Sequence, residues 1–250
     1  MPIARPDSRA YRAVAWLVRH LMFSLCRYDW RGGEHLQQPG GVIAAGNHVT
    51  ELDALSFAHF LFDQGVEPRI LAKKALFDSP IGFALRATRM IPVDRGSVGA
   101  ARSLEAAGEQ LQRGDCVAIL PEGTLTRDPD LWPMVGKTGL ARIALATRLP
   151  VVPIAQWGVT EIMPRYGHVL KPFPRKKVWV WAGPPVDLSD LYDRPTDTAV
   201  LREATTRVMD AITALLEEIR GEKAPEHRFD LRLHPEYEKK QTVYPPVERP

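Results

Sequence analysis

The chain has 250 residues, of which 45% are hydrophobic and 25% are charged, a balance typical of a folded soluble core. Its formal net charge of +3 suits an anionic substrate or an anionic membrane surface but is too small to indicate nucleic-acid binding. Two cysteines, Cys26 and Cys116, lack the spacing of a metal or redox site and suggest free thiols in a reducing compartment. The N-terminus does not show the apolar core or cleavage site of a signal peptide.

The first predicted element is one amphipathic helix from Ser8 to Tyr28. Its cationic side chains fall within an arc of about 100°, and most of the remaining surface is apolar. Those cationic side chains are Arg9, Arg12, Arg19, His20 and Arg27. Charged residues interrupt the apolar run well before the roughly 20 residues that a spanning helix needs. The pattern therefore fits a helix in a membrane interface, or equally a helix packed on the protein's own core.

Downstream of this helix, apolar runs alternate with amphipathic stretches. After a short strand and turn over 31–39, the predicted strands are 42–45, 69–72, 90–95, 116–120, 151–155 and 178–181. The predicted helices are 54–63, 80–86, 100–113, 138–147 and 196–220. This alternation predicts an α/β fold with a mostly parallel sheet flanked by helices. We expect an N-terminal helix over 1–30, one domain over 31–221, and a tail over 222–250 that is rich in Pro and charge.

The most informative stretch is Asn47-His48-Val49-Thr50-Glu51-Leu52-Asp53, between the strand 42–45 and the next helix. Open α/β sheets usually place their chemistry at the carboxyl ends of strands. If helix begins near Thr50, Asp53 can reach back to one imidazole nitrogen of His48. The other nitrogen can then take a proton from a hydroxyl. The alternative is a helix start in which Thr50 is the N-cap and Asp53 its capping-box partner.

Two further loops at strand ends carry suggestive side chains. In Asp94-Arg95-Gly96, the guanidinium of Arg95 offers a planar fork of donors suited to phosphate, although it could instead be a surface residue paired with a neighbouring carboxylate. Pro121-Glu122-Gly123-Thr124 follows the strand 116–120, and Gly123 would let the backbone approach a ligand closely. Taken alone, this second loop could be no more than a turn.

Together these motifs resemble the glycerophosphate acyltransferase family over about residues 33–185. The resemblance rests on Asn-His-x4-Asp, a strand ending in Asp-Arg, a strand ending in Pro-Glu-Gly-Thr, and Val151-Val152-Pro153-Ile154. Lys73 matches the first lysine of a further family stretch. The branch that the motifs resemble most is the 1-acyl-glycerol-3-phosphate acyltransferases of phospholipid synthesis. This resemblance implies the α/β fold of glycerol-3-phosphate acyltransferases.

The chain departs from the family pattern at several positions. Thr50 replaces a common serine, and Arg89 and Pro92 stand where the second motif usually has Gly and Phe. Leu125 stands where an arginine often follows the third motif. The charge of that arginine could come from another cation nearby in the sequence. The candidates are Arg127, Lys137 and Arg89.

The resemblance implies transfer of a fatty acyl group from acyl-CoA or acyl carrier protein to a lysophospholipid hydroxyl, most specifically that of 1-acyl-glycerol-3-phosphate. His48 would be the general base and Asp53 would orient it, with no metal or cofactor. Lys73, Arg95 and Glu122-Gly123-Thr124 would hold the acceptor, with Glu122 binding an arginine or a hydroxyl rather than phosphate. Backbone N–H groups at the start of the helix after His48 are candidates for stabilising the oxyanion.

A lipid acceptor favours the membrane interpretation of the N-terminal helix. We therefore expect a peripheral or monotopic protein on the cytoplasmic face of the membrane, with the basic turn Arg175-Lys176-Lys177 as a second possible contact. Other acceptors remain open, namely glycerol-3-phosphate, another lysophospholipid or an amino-acid lipid. Two other classes also remain: a metal-dependent hydrolase built on His48, Glu51 and Asp53, and a lipid-binding module without activity.

Overall fold

The computed structural model describes residues 8–94 and 97–247, apart from the side chains of residues 97, 98 and 100. Its helices are α1 Arg9–Leu25, α2 Asp53–Asp63, α3 Gly82–Ala87, α4 Ser97–Gln112, α5 Gly139–Thr147 and α6 Thr198–Arg220. Its strands are β1 Cys26–Arg31, β2 Val42–Gly46, β3 Pro68–Lys73, β4 Ile91–Val93, β5 Cys116–Ile119, β6 Val151–Trp157 and β7 Lys176–Ala182. Helices connect successive strands from β2 to β6, as parallel pairing requires.

The described strands form one sheet in the order β1-β7-β6-β2-β5-β3-β4. Strands β6, β2, β5, β3 and β4 run parallel, so their carboxyl ends share one edge of the sheet, called here the carboxyl edge. Strand β7 is antiparallel to β6, and β1 is parallel to β7. This outer pair therefore begins at the carboxyl edge. The predicted α/β class with a mostly parallel sheet is confirmed.

Helices cover both faces of the sheet, which explains why β2 is buried along its whole length. On one face, Ile43 and Ala45 pack in a cluster that includes the apolar sides of α4, α5 and α6. On the other face, Ala44 packs in a second cluster that includes Met22 of α1 and Phe57 of α2. The strand that leads to His48 is therefore fixed from both sides by the core.

The N-terminal helix ends earlier than predicted. Ser8 caps it by accepting a hydrogen bond from the Tyr11 N–H, but the helix stops at Leu25 rather than continuing to Tyr28. Residues 26–31 form β1, which pairs with β7 in the register Cys26 to Lys176. The prediction of helix over residues 26–28 was wrong, because the backbone N–H and C=O groups of these residues bond to β7 across the sheet. Sequence periodicity over so few residues does not reveal that pairing.

The cationic arc predicted on α1 is only partly a solvent-facing stripe. Arg19 turns towards α2, where its Nε lies 3.0 Å from Oδ2 of the largely buried Asp63. On the outward side Trp16 and Leu17 are each 61% exposed, and Leu21 is also exposed. The apolar surface of α1 is thus divided between the core and solvent. Within the residues that the structure describes, no helix combines the length and apolar character needed to cross a bilayer.

A buried histidine beneath α1 predicts a loss of stability in acid. The His59 side chain is fully buried among the rings of Phe23, Tyr28 and Trp30. Burial, with a smaller contribution from the charge of Arg19, lowers its pKa from 6.5 to about 4. A lowered folded-state pKa means that stability present above about pH 6.5 is lost as the pH falls towards 4. Between about pH 7.5 and about pH 5 we expect a loss on the order of 2 kcal/mol from this residue.

Urea unfolding at the two pH values tests this expectation in wild type and His59→Gln. The variant should lose less unfolding free energy on acidification, even if it is less stable at both pH values. Asp63, 3.7 Å from the His59 ring nitrogen Nε2, also titrates in this cluster, so Asp63→Asn serves as the comparison. An equal acid loss in wild type and His59→Gln would contradict the assignment.

Candidate active site

The loop that carries His48 is held to the neighbouring strand by a reciprocal set of hydrogen bonds. The N–H of Gln156 on β6 donates to Asn47 Oδ1 at 2.8 Å, and Asn47 Nδ2 donates to the Gln156 carbonyl at 3.0 Å. Gln156 Nε2 also donates to the Asn47 carbonyl at 3.2 Å. Both residues are almost fully buried. Gln156 had a visible signal in the sequence, because it is a polar residue at the end of an apolar strand.

His48 and Asp53 come together as their spacing predicts. The imidazole Nδ1 of His48 lies 3.4 Å from Asp53 Oδ2, and the aspartate is 2% exposed. Donation from Nδ1–H to this carboxylate would leave Nε2 with its lone pair. The His48 side chain keeps 17% exposure, so it lies near the protein surface while its partner is buried. The pair can therefore orient an imidazole as a proton acceptor.

Asp53 also begins α2, so its contact with His48 is compatible with a place at the start of the helix. Its Oδ2 accepts hydrogen bonds from the N–H of Thr50 at 2.7 Å and from the N–H of Val49. The predicted N-cap at Thr50 is wrong, because the helix begins at Asp53 and Leu52 precedes it. Thr50 instead accepts a hydrogen bond from the Leu52 N–H at 3.3 Å through its hydroxyl.

These bonds narrow the set of backbone N–H groups that could stabilise the oxyanion. The sequence offered the backbone N–H groups at the start of the helix as oxyanion donors. In the structure the N–H groups of Val49 and Thr50 donate to Asp53, and that of Leu52 donates to a hydroxyl. Those three donors are already bonded within the loop, so they do not point to a site for a developing negative charge.

Glu122 holds the His48 loop from the adjacent strand. Its Oε1 accepts a hydrogen bond from the His48 N–H at 2.9 Å, and its Oε2 accepts one from the Met134 N–H at 3.0 Å. The prediction that Glu122 binds an arginine or a hydroxyl was wrong, because both of these hydrogen-bond partners are backbone N–H groups. Burial raises the pKa of this carboxyl to about 8, against the opposing effect of the two N–H donors. Glu122 therefore fixes the backbone of His48 from inside the protein.

The next two residues of the Pro-Glu-Gly-Thr motif form a surface-accessible turn. Gly123 has a φ of +68°, and a Cβ at this position would lie 3.0 Å from Nζ of Lys137. Thr124 Oγ1 lies 3.4 Å from the hydroxyl of Tyr166, a neighbour that no sequence pattern indicated. The glycine therefore lets an exposed lysine lie directly across the turn.

The three cations proposed to replace the family arginine lie in different parts of the structure. Arg127 is 5% exposed and donates to the carbonyls of Tyr237 and Glu238, so it is committed to the protein interior. Arg89 precedes β4 and therefore lies towards the edge opposite His48. Lys137 is the candidate of the three that lies against the motif turn.

Two other predicted binding residues follow β3 and β4. Lys73 is the last residue of β3, exposed at the carboxyl edge and in register with Val93 of β4. Strand β3 is two strands from β2, so Lys73 is offset from the His48 loop by roughly 10 Å across the sheet. Arg95 lies outside the described residues.

The similarity of this chain to known proteins covers the region that contains the candidate site. A family model described as acyltransferase matches residues 27–157, which contain the His48 and Glu122 loops.

The chain belongs to the acyltransferase family.

This acyltransferase is 26% identical over 188 residues to a 1-acyl-sn-glycerol-3-phosphate acyltransferase of Borreliella burgdorferi, covering 72% of this chain and 71% of that protein. It is 32% identical over 124 residues to a chloroplastic 1-acyl-sn-glycerol-3-phosphate acyltransferase of Brassica napus, covering 49% of this chain and 34% of the plant protein. The crystal structure of the 1-acyl-sn-glycerophosphate acyltransferase from Thermotoga maritima shares the fold. Its TM-score is 0.66 at 21% identity, with coverage of 86% of this chain and 81% of that one.

Proposed function

We propose that this acyltransferase moves a fatty acyl group from acyl-CoA or acyl carrier protein to the free hydroxyl of 1-acyl-glycerol-3-phosphate, giving phosphatidic acid. The observation that carries the proposal is the contact between His48 and the buried Asp53 at the carboxyl edge. The names of the relatives from Borreliella burgdorferi and Brassica napus, both 1-acyl-sn-glycerol-3-phosphate acyltransferases, support the choice of acceptor.

In the proposed reaction, Nε2 of His48 takes the proton of the acceptor hydroxyl as its oxygen attacks the thioester carbonyl carbon. Asp53 holds Nδ1–H and stabilises the imidazolium that forms. The tetrahedral intermediate then collapses, the carbon–sulfur bond breaks, and the thiolate takes the proton from His48. Because a thiol has a pKa near about 8.5, the thiolate leaves without a strong general acid.

The phosphate of the acceptor needs cations near this loop. Lys137 lies across the Gly123 turn, and Lys73 is exposed farther along the same edge. We propose that Lys137 supplies the charge that the family arginine provides elsewhere, with Thr124 and Lys73 in the same acceptor site. Arg95 remains a proposed member of this site on sequence grounds.

A thiol-release assay with palmitoyl-CoA, with and without lysophosphatidic acid, tests the proposed function. We expect release that depends on the acceptor, with phosphatidic acid as the lipid product. Panels of acyl carrier protein donors and of glycerol-3-phosphate, other lysophospholipids and amino-acid lipids distinguish the remaining substrates. Release without any acceptor that stops in chelator would favour a metal-dependent hydrolase. Lipid binding without release across all panels would favour a binding module.

We further propose that α1 holds the enzyme at the cytoplasmic face of a membrane. The outward residues Trp16 and Leu17 form an exposed apolar surface, with exposed Arg12 nearby on the same helix. In the basic turn, Arg175 donates to the Cys26 carbonyl and Lys177 pairs with Asp29 at 3.6 Å. Because both cations already bond to residues of β1, we propose that α1 contributes more to the membrane contact than the basic turn does.

Replacing Trp16 and Leu17 together with glutamate should weaken binding to anionic vesicles by roughly 10²–10⁴-fold. Burial of a large apolar side chain contributes about 1.5–3 kcal/mol, so the loss of two of them costs roughly 3–6 kcal/mol. Sedimentation with vesicles of mixed anionic and neutral phospholipid measures it. Both side chains are exposed, so the thermal midpoint should change little.

The matched control is Leu233→Glu, which changes an exposed leucine far along the chain from α1. This control should sediment like wild type. Unchanged sedimentation of the Trp16 and Leu17 variant would place the membrane contact elsewhere. A deletion of the whole helix is a poorer test, because α1 packs Met22 and Leu25 into the core.

A further inference from the structure

Arg127 is a buried cation whose guanidinium finds its described hydrogen-bond partners at the far end of the chain. Its Nη1 donates to the carbonyls of Tyr237 and Glu238 at 2.9 and 2.8 Å, and to the Tyr244 hydroxyl at 2.6 Å. The guanidinium also lies 5.0 Å from the ring centroid of Tyr166. A buried guanidinium needs such partners, because it cannot give up its charge.

The residues that supply these partners belong to the C-terminal segment, defined here as residues 224–247. This segment contains little regular structure, yet Phe229, Tyr237 and Tyr244 are buried in a cluster with Met134. The Val135 N–H donates to the Phe229 carbonyl at 2.9 Å. The C-terminal segment therefore packs directly on the stretch that follows the Pro-Glu-Gly-Thr motif.

That stretch is also held from its other side. Arg165, itself 2% exposed, donates from Nη1 to the carbonyls of Thr126 and Asp128, each at 2.8 Å. Its guanidinium lies 4.5 Å from the ring centroid of Tyr244. Two buried arginines and the C-terminal segment thus enclose the residues around Thr126.

The enclosed stretch is hydrogen-bonded to the backbone of His48. The Thr126 N–H donates to the His48 carbonyl at 2.7 Å, and the His48 N–H donates to Glu122. Glu122 in turn accepts from the Met134 N–H, beside the C-terminal cluster. Both backbone polar groups of His48 are therefore bonded to a stretch whose position depends on Arg127 and the C-terminal segment.

We infer that the C-terminal segment completes the active site, with Arg127 as a positioning residue that holds the His48 backbone in place through the Glu122–Met134 stretch. The inference rests on the proposed role of His48. The segment lies outside residues 27–157, the region that the acyltransferase family model matches. Its effect should appear in turnover more than in acceptor binding, because the hydrogen bonds end directly on the His48 backbone. The network reaches Thr124 of the proposed acceptor site only indirectly, through Tyr166.

Tyr244→Phe and Arg127→Met test the inference, with Arg228→Met as the control. Tyr244→Phe removes one hydrogen-bond partner of Arg127 and keeps the ring, so it should fold even if Arg127→Met does not. Arg228 is in the same segment but pairs with Asp210 of α6 at 2.8 Å. We expect Tyr244→Phe to lower kcat several-fold and Arg127→Met to lower it tenfold or more, with the acceptor KM changed less than twofold. Arg127→Lys should recover part of the lost turnover.

Amide hydrogen exchange provides a readout that does not depend on activity. In Tyr244→Phe the amides of His48 and Thr126 should exchange about tenfold faster, while the Arg228→Met protein should match wild type. Faster exchange in a protein without activity on lysophosphatidic acid would support the positioning role and contradict the proposed acceptor. Unchanged exchange and unchanged kcat in Tyr244→Phe and Arg127→Met would overturn the inference. A rise in acceptor KM alone would also overturn it.

Discussion

Replacing His48 with alanine should lower kcat by roughly 10²–10⁴-fold, the usual contribution of a positioned general base. The imidazole contacts Asp53 through Nδ1, so its removal eliminates the proposed proton acceptor. The backbone bonds of His48 to Glu122 and Thr126 do not use the side chain and should persist. The protein should therefore fold normally. Acceptor-dependent thiol release measures turnover, and circular dichroism with thermal unfolding measures the fold.

The matched control is His168→Ala. His168 is an exposed histidine in the loop after β6, and the described geometry gives it no part in the His48 site. Its replacement should leave kcat unchanged. If His48→Ala kept turnover within about threefold of wild type, the general base would have to be another group.

Replacing Asp53 with asparagine should also lower kcat by roughly 10²–10⁴-fold, because the amide no longer provides a charged acceptor for His48 Nδ1–H. The same change weakens the hydrogen bonds that Asp53 accepts from the N–H groups of Val49 and Thr50, at a cost of about 1–3 kcal/mol in unfolding free energy. Steady-state kinetics on the folded fraction and urea unfolding separate the two effects. The acceptor KM should change little.

An aspartate that stabilises the fold elsewhere distinguishes orientation of the base from a loss of stability alone. Asp197 caps α6 by accepting a hydrogen bond from the Val200 N–H at 2.9 Å. Asp197→Ala removes that acceptor and should lower stability by about 1 kcal/mol without lowering turnover of the folded protein. If Asp53→Asn likewise lost only stability, Asp53 would hold the loop before α2 and have no role in the reaction.

The contact between His48 and Asp53 could be predicted because it is local. Five residues that turn from a strand into a helix can bring a carboxylate back to an imidazole whatever the rest of the protein does. The bonds from His48 to Glu122 and from Asn47 to Gln156 join residues 74 and 109 positions apart. They depend on β2 lying between β5 and β6, an order that alternating helices and strands do not specify.

The errors on α1 have a similar origin. Hydrophobic periodicity identifies an apolar face, but it does not say whether that face meets the core, solvent or a lipid surface. Arg19 fell within a cationic arc on the helical projection, and only the position of Asp63 on α2 shows that it turns inward. Likewise, residues 222–250 carry no periodic pattern, so their aromatic contacts with Met134 had no signal in the sequence.

The separation between Arg127 and its partners has a consequence for synthesis of the protein. The carbonyl of Tyr237 and the hydroxyl of Tyr244 lie 110 and 117 residues later in the chain. At translation rates of about 5–20 residues per second, the guanidinium is made roughly 5–25 seconds before these groups exist. During that interval the stretch around His48 lacks one of its supports in the native structure. The nascent chain should therefore acquire the native arrangement around His48 late, after most of the sheet has been synthesised.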